Sequence, residues 1–539
     1  MKAHCLPFSQ IPHTTRLFAD FLAYTPDAQR FYPRSPNFQD WAAEEAAKIS
    51  YDSSRRATVS AILDRQNRSW DASPQTLANI ERLRHGAAAV VTRQQVGLFG
   101  GPTFDIYKAL TAVKLAADST AAGVEAVPIF WLATYDHDLA EVNHVAFPGA
   151  DAALQTLTAS SHGIAGAPVG TVTLGEEILP LLDQAAALLG DNEATTLLRE
   201  TYRPGETLGT AFARLFAKLF ADWGVIVLDA SDPELHRVAA PIYRSAIERA
   251  SELSRALLHR DSELESAGYH QQVKVTSSST LLFVLQNGSR TPIHSRGDND
   301  FTIGAEESAE KVSRQELLDR LASHPELFSA NVLLRPTVED YLLPTLAYTG
   351  GAAEVAYFAQ AAAVYELLLG RVTPIVPRFS ATIIEPKIAR LLERFGLTVP
   401  DAFKGPEALR QNIAAQSVPE DLQSSFEAAR NSFDSHLAEI KARLARLDQT
   451  LADAAETSAS KIRHQFEKLC AQAARAEAEK NAVITRKADV LSQSLYPQKA
   501  LQERGVGGMY FIARYGSSLL RDLYAAIQPG CHDHQLIEI

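Results

Sequence analysis

Cysteine is scarce. Cys5, Cys470 and Cys531 are the three among 539 residues. They stand too far apart for a close-spaced disulfide framework and form no CxxC pair, which argues against a zinc or redox motif and for a reducing compartment. Long apolar runs are missing as well: no stretch approaches the roughly 18 residues a membrane span requires, and the opening MKAHCLPFSQIPHTTR has no signal-peptide apolar region. A soluble cytoplasmic protein with no membrane partner is expected. Glycine (28) and proline (26) together make up about a tenth of the chain, well below a low-complexity signature. An excess of positive charge is also lacking, since 52 Lys and Arg face 64 Asp and Glu for a net charge of −12. That balance argues against nucleic acid or anionic lipid as a general partner and leaves only local basic pockets.

What is present is core-forming: 46% of residues are hydrophobic, and 539 residues at about 150 per domain predict three or so structural units. Residues 1 to 75 read as a helical prelude. Buried-strand runs follow at Ala87–Thr92, Val127–Thr134, Gly224–Ala230, Asn331–Pro336 and Thr373–Arg378, separated by helical patterns. That alternation predicts an α/β fold, an open and mostly parallel sheet covered on both faces. Within it, β-type runs flank Asn287-Gly288 and predict an antiparallel hairpin insertion around 272–302.

From Leu422 to Leu495 there is neither Gly nor Pro. Phe433, Leu437, Ile440, Leu444, Leu447 and Leu451 form one heptad seam, and Ile462, Phe466, Leu469, Ala473, Ala476 and Val483 a second. The phase breaks at ETSAS, residues 456–460, predicting a turn there between two antiparallel helices of roughly 45 to 55 Å. The expected organisation is a core of residues 1–400 and 496–539 with an antiparallel coiled-coil domain at 401–495 that makes a homodimer. A hairpin folded back on its own core is the alternative.

Two glycine-bearing turns and one polar cluster are placed to carry chemistry. TRQQVGLFGGPTFDIYKAL sets Gly97, Gly100 and Gly101 between a strand and a helix, where backbone amides could receive an anion, with Gln94 and Gln95 at the strand's end. A second turn has Gly350 and Gly351 before a helix bearing Glu354 and Tyr357. In a doubly wound sheet both helix starts could face one crevice. Each turn could equally be structural, and Glu354 could simply satisfy its helix start. The cluster TYDHDLAEVNH supplies Asp136, His137, Asp138, Glu141 and His144. As a helix it would align His137, Glu141 and His144 like metal ligands; as a loop it would make Asp136 and His137 an acid/base pair. Arg335 and Arg378, beside buried strands, would bind a carboxylate or phosphate or close internal salt bridges. Lys108 either reaches the cleft or packs.

At these stretches, together with WGVIVLDASDPEL, GYHQQVKV, PIVPRFSATIIE and QERGVGGMYFIARYG, the chain resembles the BshC family of bacillithiol biosynthesis, described as cysteine ligases. The matching pieces run in order along nearly the whole sequence. The resemblance implies a Rossmann-like core with insertions and a dimerising coiled coil. It also implies addition of L-cysteine to the amine of glucosaminyl malate, an amide-forming step. A carboxylate is a poor electrophile, so ATP or another nucleotide with Mg is expected to activate it, as an acyl phosphate or an acyl adenylate. On this view Gly97, Gly100 and Gly101 receive anionic oxygens, and Gln94 and Gln95 orient the sugar or malate. Asp136, His137 and Asp138 hold or deprotonate the amine, while Gly350, Gly351, Glu354 and Tyr357 form the second wall. Glu141, His144, Arg335 and Arg378 join the substrate- or nucleotide-binding set, and no resident metal is assigned.

The chain departs from the family at Arg93, where TRQQ replaces TGQQ, and at Tyr135, which replaces an acidic residue before DHD. Two other classes compete: a metal-dependent hydrolase or transferase using the Asp/His cluster, and a non-enzymatic coiled-coil scaffold.

Overall fold

Residues 1–160, 166–304, 309–415, 420–480, 482–528 and 530–539 are described by a computed structural model. The chain divides into two compact units. The first comprises Met1–Pro148, Leu154–Thr382 and Glu503–Ile537; the second comprises Gly149–Ala153, Ile383–Gln502 and Glu538–Ile539.

The first unit is built on five parallel strands, β1 (Ala88–Gln94), β2 (Ala126–Leu132), β3 (Ile226–Asp229), β4 (Thr345–Gly350) and β5 (Ile375–Pro377), in the order β5-β4-β1-β2-β3. Alternate residues of β1 enter different hydrophobic clusters: Ala89 and Val91 pack with Val127, Ile129 and Ile226, whereas Ala88 and Val90 pack with Ala126, Leu346 and Val376. Both faces of the strand are therefore covered, which is why these runs are apolar throughout rather than alternating. Burying each such Val, Ile or Leu contributes about 1.5–3 kcal/mol.

β1 leads through a glycine turn into α1 (Thr103–Ala121), and β4 through Gly350-Gly351 into α2 (Ala352–Leu368). The strand order reverses between β1 and β4, so their connections diverge and leave a crevice at the strands' carboxyl ends.

Four of the five expected strand runs are strands. Asn331–Pro336 is not: its chain turns into the helix Arg335–Leu342. The Asn331 carboxamide oxygen accepts from the amides of Leu333 and Leu334, and Pro336 occupies the first helical turn. This local capping overrides the apolar run, and the sheet position falls to Thr345–Gly350 instead. Asn287-Gly288 does form a hairpin turn with both residues at positive φ. The insertion is larger than expected, a five-stranded antiparallel sheet that continues through Asp300–Ile303 and Glu310–Ser313 and includes Phe328–Ala330.

The cysteine expectation is corrected. Lys2–Leu6 lies beside His534–Glu538 in a small sheet, bringing Cys5 and Cys531 into a disulfide across 526 residues of sequence. Spacing along the chain could not reveal that Lys2–Leu6 and His534–Glu538 meet. Cys470 is the free cysteine among the described residues.

The second unit contains the long helices Glu420–Ala445 and Gln449–Lys480. They run antiparallel, with Arg463 bonded to Asp434 at 2.9 Å, Lys441 to Glu456, and the rings of Phe433 and Phe466 6.3 Å apart. The turn lies at residues 446–448, not at ETSAS, which sits inside the second helix. Asp448 starts the second helix, its side chain accepting from the Thr450 amide and hydroxyl at 2.7 Å as an N-cap does. ETSAS holds no helix breaker, so its shift of heptad phase alone does not end the helix. Of the stretch expected over 422–495, residue 481 lies outside the described residues, as do 416–419 of the expected domain 401–495.

In the first unit His534 is fully buried, with Nδ1 2.7 Å from the Ser380 hydroxyl and Nε2 2.8 Å from the Thr382 hydroxyl. Burial pushes its pKa down to about 4. The unfolded chain therefore takes up a proton near pH 6.5 that the folded chain refuses until about pH 4. Stability contributed by neutral His534 is complete above pH 6.5 and should fall by up to about 3 kcal/mol on acidification toward pH 4. Urea unfolding across this window, compared with His534→Gln, checks it: the variant should show a measurably shallower slope, with His236 and His532, also pushed down by burial, supplying part of what remains.

Candidate functional site

The crevice holds a cavity of about 380 Å³ lined by Arg93, Gln94, Gln95, Phe104, Lys108, Ala133, Asp136, Glu141, Arg335, Gly351, Ala353, Glu354, Arg378 and Arg504. Nine residues weighed for the site from sequence thus share one wall system: Gln94, Gln95, Lys108, Asp136, Glu141, Arg335, Gly351, Glu354 and Arg378. The strand ends and the starts of α1 and α2 converge here because β1 and β4 are neighbours.

Lys108, on α1, is the structural centre of the cavity. Its ammonium donates to Glu354 at 2.7 Å, to the Arg93 carbonyl at 2.6 Å and to the Gln94 side-chain oxygen at 3.0 Å. Glu354 in turn accepts from the Tyr348 hydroxyl at 2.5 Å and the Gly351 amide at 2.8 Å. Burial pushes the Glu354 carboxyl up, but Lys108, Tyr348 and the Gly351 amide outweigh it and hold the group below its ordinary value. Arg378 is likewise paired, bonding Glu503 at 2.5 Å.

Arg335 differs. Among the described residues it makes no ion pair, and burial, with Arg93 and Arg290 nearby, pushes its pKa down. Such a cation is stabilised by an arriving anion. Asp136 accepts at 2.9 Å from the Gln95 amide, which also reaches Glu141 at 2.8 Å. Burial raises the Asp136 carboxyl, while Arg335, Gln95 and the His137 amide outweigh that and leave it lowered. It is an ionised anchor and a weak base.

The glycine turn does not present the anion cradle expected of it. The amides of Gly97, Gly100 and Gly101 donate to the carbonyls of Gln95, Gly97 and Leu98 at 3.1, 3.2 and 3.0 Å, and the Gly100 amide also meets the Tyr202 hydroxyl at 3.1 Å. None of these three residues lines the cavity. Gly100 and Gly101 have φ of 86° and 70°, and a Cβ on Gly101 would lie 2.3 Å from Asp105 Oδ2. The glycines serve conformation and close packing. The start of α1 is closed too, since the Thr103 amide donates to the Val506 carbonyl.

Other expected residues stand outside the cavity. TYDHDLAEVNH is a loop with a single helical turn at Leu139–Val142, and His144 begins a strand. His137 and Asp138 are exposed, and no shared helical face joins His137, Glu141 and His144. Among the described residues no three His, Cys, Asp or Glu groups converge as metal ligands. Gly350 packs under Glu354, and Tyr357 is buried behind the wall, its hydroxyl accepting from Arg93 at 3.4 Å. Sequence reasoning missed Arg504 and Glu503, which lie in the loosely patterned QERG segment, and Arg290, which belongs to the insertion.

Fold and cavity together define a Rossmann-like α/β protein with a helical hairpin unit and a cation-rich small-molecule crevice. The comparisons agree: residues 1–379 match the family model for the BshC N-terminal Rossmann-like domain of bacillithiol biosynthesis, and residues 381–539 that for its C-terminal coiled-coil domain. The chain belongs to the BshC family. A Koribacter versatilis relative named "Putative cysteine ligase BshC" is 48% identical over 539 residues, covering all of both chains. Relatives of the same name from Solibacter usitatus and Salinibacter ruber are 39% and 32% identical; the matches cover all of this chain and 100% and 98% of theirs. Among the described residues no helix is long and apolar enough to cross a membrane.

Removing one partner of a buried ion pair leaves the other uncompensated. Lys108→Met should therefore cost about 3 kcal/mol in urea unfolding, and the double variant Lys108→Met with Glu354→Gln should recover part of that loss.

Proposed function

We propose that the chain is a cysteine ligase that joins the carboxylate of L-cysteine to the amine of glucosaminyl malate in the cytoplasm, giving bacillithiol. The observation that carries this reading is the cavity at the strand switch point, with an Arg335 that has no ion pair among the described residues and an ionised Asp136 in one wall system. Family membership and the names of the relatives support it. Amide formation requires a carboxylate to be held for activation, an amine brought to its carbon and water kept away. Arg335 suits the carboxylate, and Asp136 suits an ammonium rather than proton abstraction, because its depressed pKa makes it a poor base.

A nucleotide with magnesium, when bound, supplies the activation that a free carboxylate lacks. The residues present fit its anionic oxygens through Arg93, Arg504 and the start of α2 at Ala353, in place of the self-satisfied glycine turn. Gln94 and Gln95 are the neutral groups suited to sugar hydroxyls or malate.

The second unit fits a homodimer contact. Ile440, Leu447, Leu451, Ile462 and Leu469 are 42–78% exposed, an apolar stripe that a second copy would cover. Ile440→Glu should shift the mass measured by light scattering from two chains to one; an unchanged dimer would remove the hairpin from the interface.

Purified protein mixed with cysteine, glucosaminyl malate, ATP and magnesium should yield a cysteinyl product by mass spectrometry, with ADP or AMP showing which phosphoanhydride bond is cleaved. Asp136→Ala should reduce turnover at least 100-fold with the fold intact, whereas exposed His137→Ala should retain most of it. No product under reducing conditions would overturn the reading.

A further inference from the structure

Beside the main cavity lies a second, smaller one, and three residues line both: Ala133, Asp136 and Arg335. Its other walls are apolar or weakly polar, among them Trp131, Ala230, His236 and Ala330. Its volume of about 40 Å³ exceeds the roughly 10–15 Å³ one water needs by the same measure. It admits two or three heavy atoms. A carboxylate and a guanidinium that influence each other without forming an ion pair thus stand at the mouth of a pocket sized for a very short side chain.

Two buried polar atoms on its lining residues have no hydrogen-bond partner, Trp131 Nε1 and His236 Nδ1. Trp131 and His236 are 2% and 3% exposed. His236 Nε2 lies 2.8 Å from the Ala230 carbonyl, which can only accept, so Nε2 carries the proton. Burial pushes the ring's pKa down against the carbonyls of Ala230 and Phe328, so Nδ1 is left with a bare lone pair. The residues around the pocket therefore carry one unsatisfied N–H donor and one unsatisfied nitrogen acceptor, beside the hydroxyl-bearing Tyr135, Tyr243 and Ser329. Unsatisfied buried groups of this kind call for a partner. A thiol supplies both halves, with a weak S–H donor for Nδ1 and a polarisable sulfur for Nε1–H.

We infer that this pocket takes the side chain of L-cysteine, with Asp136 holding the α-ammonium and Arg335 the carboxylate. The assignment rests on the ligase reading and deepens it. The three substituents of the α-carbon are read at three different walls, and the carboxyl carbon stands where the small pocket opens on the large one. That is where an activating group and an incoming amine could both reach it. Leucine, methionine and phenylalanine are too long for the pocket. Alanine fits but leaves the two nitrogens unpaired, which a site built for the thiol should penalise.

The test uses the full chain without nucleotide or sugar, under reducing conditions, with calorimetry as the readout. L-Cysteine should bind saturably and at least tenfold more tightly than L-alanine, cysteamine, which lacks the carboxylate, or 3-mercaptopropionate, which lacks the amine. L-Methionine should not bind. Ala230 is only partly buried, so Ala230→Val should be tolerated by the fold; it should weaken cysteine at least tenfold while changing alanine little. Arg335→Met should abolish the preference for cysteine over cysteamine. Equal binding of cysteine and methionine, or an Ala230→Val variant that binds cysteine as tightly as the parent chain, would overturn the pocket. Cysteine binding of the expected pattern without any ligated product would retire the ligase reading and leave the pocket standing. Product formation by Ala230→Val at the parent rate and selectivity would do the reverse.

Discussion

The desolvated Lys108–Glu354 pair is the interaction on which the crevice depends. Lys108 sits on the helix after β1 and Glu354 on the helix after β4, so the pair fastens the two halves of the sheet where their connections part. A buried ammonium persists only when each of its protons finds an acceptor. Here the three acceptors are Glu354, the Arg93 carbonyl and Gln94, and they fix the end of β1 as well as the start of α2. With this cation and anion spent on the bolt, Arg335, without an ion pair among the described residues, and the lowered Asp136 are left lining the crevice.

Much of the architecture was legible in the sequence because burial on both faces of a parallel sheet leaves an unmistakable apolar run. Val127–Thr134 and Gly224–Ala230 could hardly be anything else. Asn331–Pro336 had the same composition but carried Asn331 and Pro336, whose local bonding favours a helix start. The turn of the helical hairpin was hidden for the opposite reason. Asp448 and Thr450 cap a new helix start with no glycine or proline, while the conspicuous phase break at ETSAS has nothing in it that ends a helix.

The candidate site was legible at its strand ends and misread at its glycines. Gln94, Gln95, Asp136 and Gly351 follow directly from strand termini, and all four line the cavity. Gly97, Gly100 and Gly101 looked like an anion cradle because glycine permits close backbone approach. It permits approach by the protein's own atoms just as well, and here Tyr202, Asp105 and neighbouring carbonyls make use of it. Nothing in a short motif tells those two uses apart. His236 and Arg290 were invisible for a plainer reason: they come from segments far along the chain that only the tertiary fold brings to the crevice.

Glu503, Arg504 and His534 belong to the first unit yet are encoded after nearly all of the second. A chain emerging from the ribosome therefore presents Arg378 long before its counter-ion Glu503 exists. Until residues 503–538 leave the exit tunnel, one wall of the crevice is missing and the small sheet that pairs Lys2–Leu6 with His534–Glu538 cannot close. Translation past Glu503 and Arg504 is thus a condition for completing that wall, and a ribosome that stalls before them releases a fragment carrying the five parallel strands but no finished crevice.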